Sequence, residues 1–177
     1  MSCAARTNTA LARADVANLP LSPLALRRYL ERMALHLLKL CVGVSSIEDM
    51  ESWIAERRAL AGKAGQNFEL VHTTRMVPNR AEELLNGGSL YWVIRGEISA
   101  RQKLLDIQPF VDGEGIRRCG LVLDQELVRL MPRPSRPFQG WRYLKAEDAP
   151  ADLAQAGAAI ADMPEEMRRE LSSLGLL

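Results

Sequence analysis

The stretch Gly88-Ser89-Leu90-Tyr91-Trp92-Val93-Ile94-Arg95-Gly96 constrains the fold more than any other part of the chain. Leu90 to Ile94 is an unbroken run of leucine, aromatic and β-branched residues, which fits a pleated, buried strand better than a helix face. Gly87-Gly88 stops whatever helix precedes it. Gly96 permits a bend or bulge before a long strand over 97–107. Alternation puts Leu90, Trp92 and Ile94 on one face and Tyr91, Val93 and Arg95 on the other. The two rings therefore cannot form one platform. Trp92 reads as core, and Tyr91, which shares its face with Arg95, reads as the ring that meets a ligand.

The neighbouring segments extend the pattern. From Met33 an apolar run alternates around His36 and Lys39 and ends at Gly43, a buried first strand. Ser45-Ser46-Ile47-Glu48-Asp49 is a helix-opening sequence, with a serine hydroxyl and an acid three residues on. Ile47, Met50, Trp53 and Ile54 follow at helical spacing, so the helix runs over 46–61, with Trp53 as core and Gly62 and Gly65 ending it. Residues 68–76 form a second strand, Pro78-Asn79 a turn, and Asn79 with Glu82 a capping box for a short helix over 80–86. After the turn Asp112-Gly113-Glu114-Gly115 a strand returns over 116–123, with a short one over 128–131. Pro132-Arg133-Pro134-Ser135-Arg136-Pro137 excludes helix and central strand and is expected as an extended, arginine-bearing loop. Residues 138–144 dock back through Phe138, Trp141, Tyr143 and Leu144. The fold class is α+β: a curved, mostly antiparallel sheet of five to seven strands with one main amphipathic helix packed on it, partial barrel closure being its tighter version.

With 177 residues, 47% of them hydrophobic, the chain suits one domain with tails. Residues 1–32 form an extension that is poorly ordered apart from a short helix over 24–31, 33–148 the domain, and 149–177 a loosely held, alanine-rich tail with a short helix. The change of composition at Met33 suggests a second start site there. A net charge of +1 gives no global field towards nucleic acid or membrane. The longest apolar run, 33–44, falls short of the roughly 20 residues a bilayer span needs. That run and the absence of a leader point to a cytoplasmic protein. Cys3, Cys41 and Cys119 are too scattered for a disulfide framework or a metal site. The glycines build neither a P-loop nor a dinucleotide fingerprint, so no cofactor is expected.

The chemistry on offer is cationic and aromatic. Between Arg117 and Lys145 seven basic residues face two acidic ones, a local excess in a nearly neutral chain. Guanidinium groups grip phosphate in two-pronged fashion, and rings stack on bases. The expected ligand-binding set is Arg75, Arg80, Tyr91, Arg95, Arg101, Arg133, Arg136, Trp141 and Arg142. Its partner would be RNA, single-stranded nucleic acid or a nucleotide, and the loss of Arg136 and Arg142 would weaken binding most. The competing account has the rings in the core and the arginines solvated or ion-paired. A rival function is a small hydrolase or transferase in which His72, oriented by Glu82 or Glu83, works as acid or base beside Arg75. Lys39 is expected to share the face of the first strand that carries His36, a polar face that can line a pocket. A third alternative makes 132–137 a protein-binding strip.

Leu35-His36-Leu37-Leu38-Lys39-Leu40-Cys41-Val42-Gly43, Arg80-Ala81-Glu82-Glu83-Leu84-Leu85, Gly88 to Gly96, and Arg136-Pro137-Phe138-Gln139-Gly140-Trp141-Arg142-Tyr143-Leu144 resemble, in this order, a mainly alphaproteobacterial family, domain of unknown function 1489. The resemblance covers about residues 33–153. It implies a beginning near Met33 and no particular mechanism, since that family has no established activity. The succession of a short helix closed by Gly-Gly, an aromatic strand ending in glycine and a long strand is also similar to the PUA-like (ASCH and EVE) barrels, which would imply an RNA- or nucleotide-binding barrel.

Overall fold

A computed structural model of the chain describes residues 34–157, 160 and 163–174. The extension 1–32, its helix over 24–31 and the composition change at Met33 lie outside the described residues. Among those described, seven strands form one sheet: β1 (Leu35–Leu40), β2 (Leu70–Thr74), β3 (Ser89–Ile94), β4 (Glu97–Val111), β5 (Arg117–Leu123), β6 (Val128–Pro134) and β7 (Trp141–Lys145). The helices are α1 (Ile47–Lys63), α2 (Ala81–Leu85) and α3 (Glu165–Ser173). The order across the sheet is β2-β5-β4-β3-β1-β7, with β6 beside β4. The pairing of β1 with β3 is parallel, and the others are antiparallel. The architecture is the expected α+β class.

The β3 strand explains the layout. All six of its residues are buried, because both faces of the sheet carry a core there, and a strand covered on both sides reads as a continuous apolar run. Leu90, Trp92 and Ile94 join Leu35, Leu37, Leu104, Leu121 and Leu123 in the larger cluster, which α1 covers with Ile47, Met50 and Ile54 and α2 with Leu84. Tyr91 and Val93 join Leu38, Ile98, Leu130, Phe138 and Leu144 on the opposite face. The face carrying the larger cluster is the inner face of the sheet.

Local chemistry sets the ends of these elements. The Ser46 hydroxyl caps α1 by accepting from the Asp49 amide at 3.1 Å, and the Asp49 carboxylate accepts from the Ser45 amide. Between β3 and β4, Arg95 (φ 48°) and Gly96 (φ 84°) both take the left-handed conformation of a two-residue hairpin turn. The capping box expected at Asn79 does not form. Arg80 occupies the N-cap position of α2 without a side-chain cap, and the Tyr143 hydroxyl accepts the Arg80 amide at 3.2 Å instead. Trp53, expected in the core, is exposed with Arg57 over its ring.

Three further expectations change. Pro132, Arg133 and Pro134 belong to strand β6 rather than to a loop. They are tolerated because β6 pairs along one side with β4, and an edge strand does not need every amide. The alanine-rich segment after 148 is docked: Leu153 is buried, Asp152 bridges to Leu130, and its carboxylate takes two bonds of 2.7 Å from Arg101. The sheet is also not closed into a barrel. Its two end strands, β2 and β7, curl towards each other, and the Trp141 indole N–H donates to the Met76 carbonyl at 3.2 Å. Among the described residues no backbone ladder joins β2 to β7.

Candidate functional site

The seam between β2 and β7 opens into a cavity of about 340 Å³. Its wall draws on four strands. Thr73 and Thr74 come from β2, with Arg75 and Met76 just beyond it; Lys39 comes from β1, Arg118 from β5, and Trp141 from β7 with Gly140 ahead of it. Three cations thus meet a ring and two hydroxyls, and no acidic residue lines the cavity.

The register accounts for the convergence. Lys39 follows Leu35 and Leu37 at every second position of β1, so it lies on the inner face, paired with Trp92 of β3 and Trp141 of β7. Thr74 pairs with Cys119 and His72 with Leu121 on that same face. Arg118 is aimed by Asp112: its Nε donates to the carboxylate at 2.7 Å, while the Glu114 and Ile116 amides hold the other oxygen. That arginine and those amides keep the Asp112 carboxyl below its ordinary pKa. Only Nε of Arg118 is occupied, and its Nη groups make no hydrogen bond among the described residues. Arg75 is exposed, and neither it nor Lys39 pairs with a carboxylate among the described residues. Burial lowers the Lys39 pKa, and the neighbouring Cys41 thiol opposes that in part. A cavity of this kind offers unspent N–H donors and positive charge to an anion, with an aromatic wall beside it.

Of the nine expected binding residues, Arg75 and Trp141 line this cavity. The others do not converge on it. Tyr91, expected to face a ligand, is buried in the second cluster, edge-on to His36 with ring centres 5.1 Å apart. The second core on that face, which the apolar run alone does not reveal, takes the place expected for a ligand. Arg142 alternates with Trp141 on β7, so it lies on the opposite face, 4.9 Å over the Phe138 ring. Arg101 is held by Asp152 and the Ser89 hydroxyl. Arg133 donates to the Asp148 carbonyl. Arg80 forms a two-pronged pair with Glu83 and lies over Tyr143. Arg95 is exposed at the β3–β4 turn, and Arg136 is exposed and not among the residues that line the cavity.

The acid-base set is not assembled either. His72 packs edge-on against Trp92 at 5.0 Å, and its buried Nε2 has no hydrogen-bond partner among the described residues. Burial, with the charge of Lys39, lowers its pKa to about 4. Glu83 is engaged by Arg80, and Glu82 is exposed on α2. His36 is buried, its Nδ1 accepting from the Ser89 amide at 3.1 Å, with a pKa also near 4 from burial and then from Arg101. It faces the second cluster, away from Lys39. Sequence reasoning counted Arg118 in the basic stretch without selecting it for binding, placed Thr73 and Thr74 around the His72 acid-base site rather than at an anion site, and kept Lys39 with His36 as a possible pocket-lining residue. The usable signal was Lys39 itself, a cation at alternate spacing inside an apolar strand.

No group of three or more His, Cys, Asp or Glu among the described residues is placed to hold a metal ion. No helix among them is long and apolar enough to cross a membrane. No curated protein and no solved structure matches the chain. Residues 37–177, most of the chain and all seven strands but the first two residues of β1, match the family model described as Protein of unknown function (DUF1489), and the chain belongs to that family.

Proposed function

We propose that the protein is a cytoplasmic binding module for a phosphate-bearing ligand, RNA or a nucleotide, seated in the β2–β7 seam. Arg75, Arg118 and Lys39 hold the phosphate, and Trp141 lies against the base. The observation that carries this reading is the meeting of those cations on one cavity wall that has no acidic residue, with Arg75 and Lys39 unpaired among the described residues and the Nη groups of Arg118 still open beside its bond to Asp112. About 340 Å³ is near the small end of ligand pockets, roughly 300–1,000 Å³, so the seam takes one nucleotide unit, free or at a strand end, rather than a length of duplex.

Fluorescence anisotropy with short single-stranded RNAs and labelled nucleotides, at low and moderate salt, tests this. Binding should weaken with salt as phosphate contacts release counterions. Arg75→Ala and Arg118→Ala should each cost about ten- to a hundredfold in affinity, since a hydrogen bond to a charged group contributes about 1.5–3 kcal/mol. Arg142→Ala, on the opposite face, should change little. Absence of binding to any of these probes at low salt would remove the proposal.

A further inference from the structure

Lys39 has a reactivity that phosphate binding does not use. It stands on the inner face of β1, flanked in the register by Trp92 and Trp141, with its stem continuing the row of Leu35 and Leu37. A lysine among apolar neighbours ordinarily brings a carboxylate with it. Lys39 has none among the described residues, and its fellow charges in the cavity, Arg75 and Arg118, are cations. Burial holds its pKa below the ordinary range. Desolvation and nearby positive charge are the two conditions that turn a lysine amine into a nucleophile for carbonyl carbon. The cavity also gives such an amine a way to hold its substrate, because the Nη groups of Arg118 and the Arg75 guanidinium can grip an anionic group while Lys39 meets the rest of the molecule.

We infer that Lys39 is a carbonyl-condensing amine, and that the cavity accepts a small aldehyde or ketone bearing a carboxylate or phosphate. In the step, the Nζ lone pair forms a bond to the carbonyl carbon and the C=O π pair moves to oxygen. A proton passes from nitrogen to that oxygen, giving a carbinolamine. Loss of the hydroxyl with the remaining N–H proton, as water, leaves a C=N bond. One water is released and nothing is oxidised or reduced. The inference rests on the cavity being an anion site, as proposed above.

The test treats the full chain with glyoxylate, an aldehyde bearing a carboxylate, in the presence of cyanoborohydride, whose hydride fixes any imine as a carboxymethylated amine. Peptide mass spectrometry then compares Lys39 with Lys63, Lys103 and Lys145, the other lysines of the chain. Lys39 should be modified several-fold faster than the other three. Excess inorganic phosphate should slow Lys39 alone, and propanal, which lacks the anion, should label it poorly. An unmodified Lys39, or even labelling across all four lysines, would overturn the condensing role. If that result came with phosphate or nucleotide binding that Arg75→Ala abolishes, the anion site would stand and only the amine chemistry would fall. Selective Lys39 labelling by both aldehydes alike, without phosphate protection, would overturn the anionic substrate class and the anion site together.

Discussion

Burial keeps both histidines neutral near pH 7, and this gives the fold a defined pH response. His36 and His72 each have a pKa lowered from 6.5 to about 4, by desolvation first and then by Arg101 and Lys39 respectively. The unfolded chain takes up a proton at each as pH falls through 6.5, while the native chain does not until about 4. Stability contributed by the neutral histidines is therefore complete above 6.5 and is lost between 6.5 and 4. Each histidine can contribute up to about 1.4 kcal/mol per pH unit within that window. Urea midpoints measured at pH 7, 5.5 and 4.5 should fall in that order, and His72→Asn should flatten the trend. A midpoint that holds or rises towards pH 4.5 would contradict the assigned burial.

At the scale of elements, two glycines with opposite roles make a matched experiment. A Cβ on Gly88 would fall on the carbonyl oxygens of Leu84 in α2 and Leu35 in β1, so this glycine lets helix, strand and β3 meet. Gly62 lies in the last turn of α1 with open space around it. Gly88→Ala should cost about 3 kcal/mol, the upper part of the overpacking range. Gly62→Ala should stabilise by about 0.5–1 kcal/mol by removing unfolded-state freedom from a helical position. Denaturant unfolding of the two variants would read both signs. Legibility followed the same division. The Ser46 cap, the two faces of β3 and the turn at 112–115 were readable because each depends on residues a few positions apart. The start of α2 was not, since its amide is taken by Tyr143 from β7, and β6 was not, since its prolines are acceptable only beside β4.

In the molecule as a whole, β4 has β3 along one side and β6 and β5 in succession along the other. No division of the sheet leaves β4 out, and the C-terminal segment is pinned to it by Arg101–Asp152 and Arg169–Glu97. Asp152→Asn should lower stability by about 2 kcal/mol, the scale of a lost charge-assisted hydrogen bond. It should still unfold in one transition, with circular dichroism and tryptophan fluorescence coinciding. Separate transitions would show that the sheet divides. The candidate site was the least legible feature at this scale. Arg75, Lys39, Arg118 and Trp141 are scattered along the sequence, and only the curl that brings β2 to β7 joins them. Local excess of charge instead favoured Arg133, Arg136 and Arg142, which that curl leaves outside.

The place of β1 has an implication for biosynthesis. Its two partners are β3, beyond both α1 and α2, and β7, near the far end of the described sheet. A nascent chain leaving the ribosome therefore carries Leu35-His36-Leu37-Leu38-Lys39-Leu40 as an unclaimed, greasy ribbon until β3 emerges, and the completed β2–β7 cavity is among the last things the newborn protein acquires.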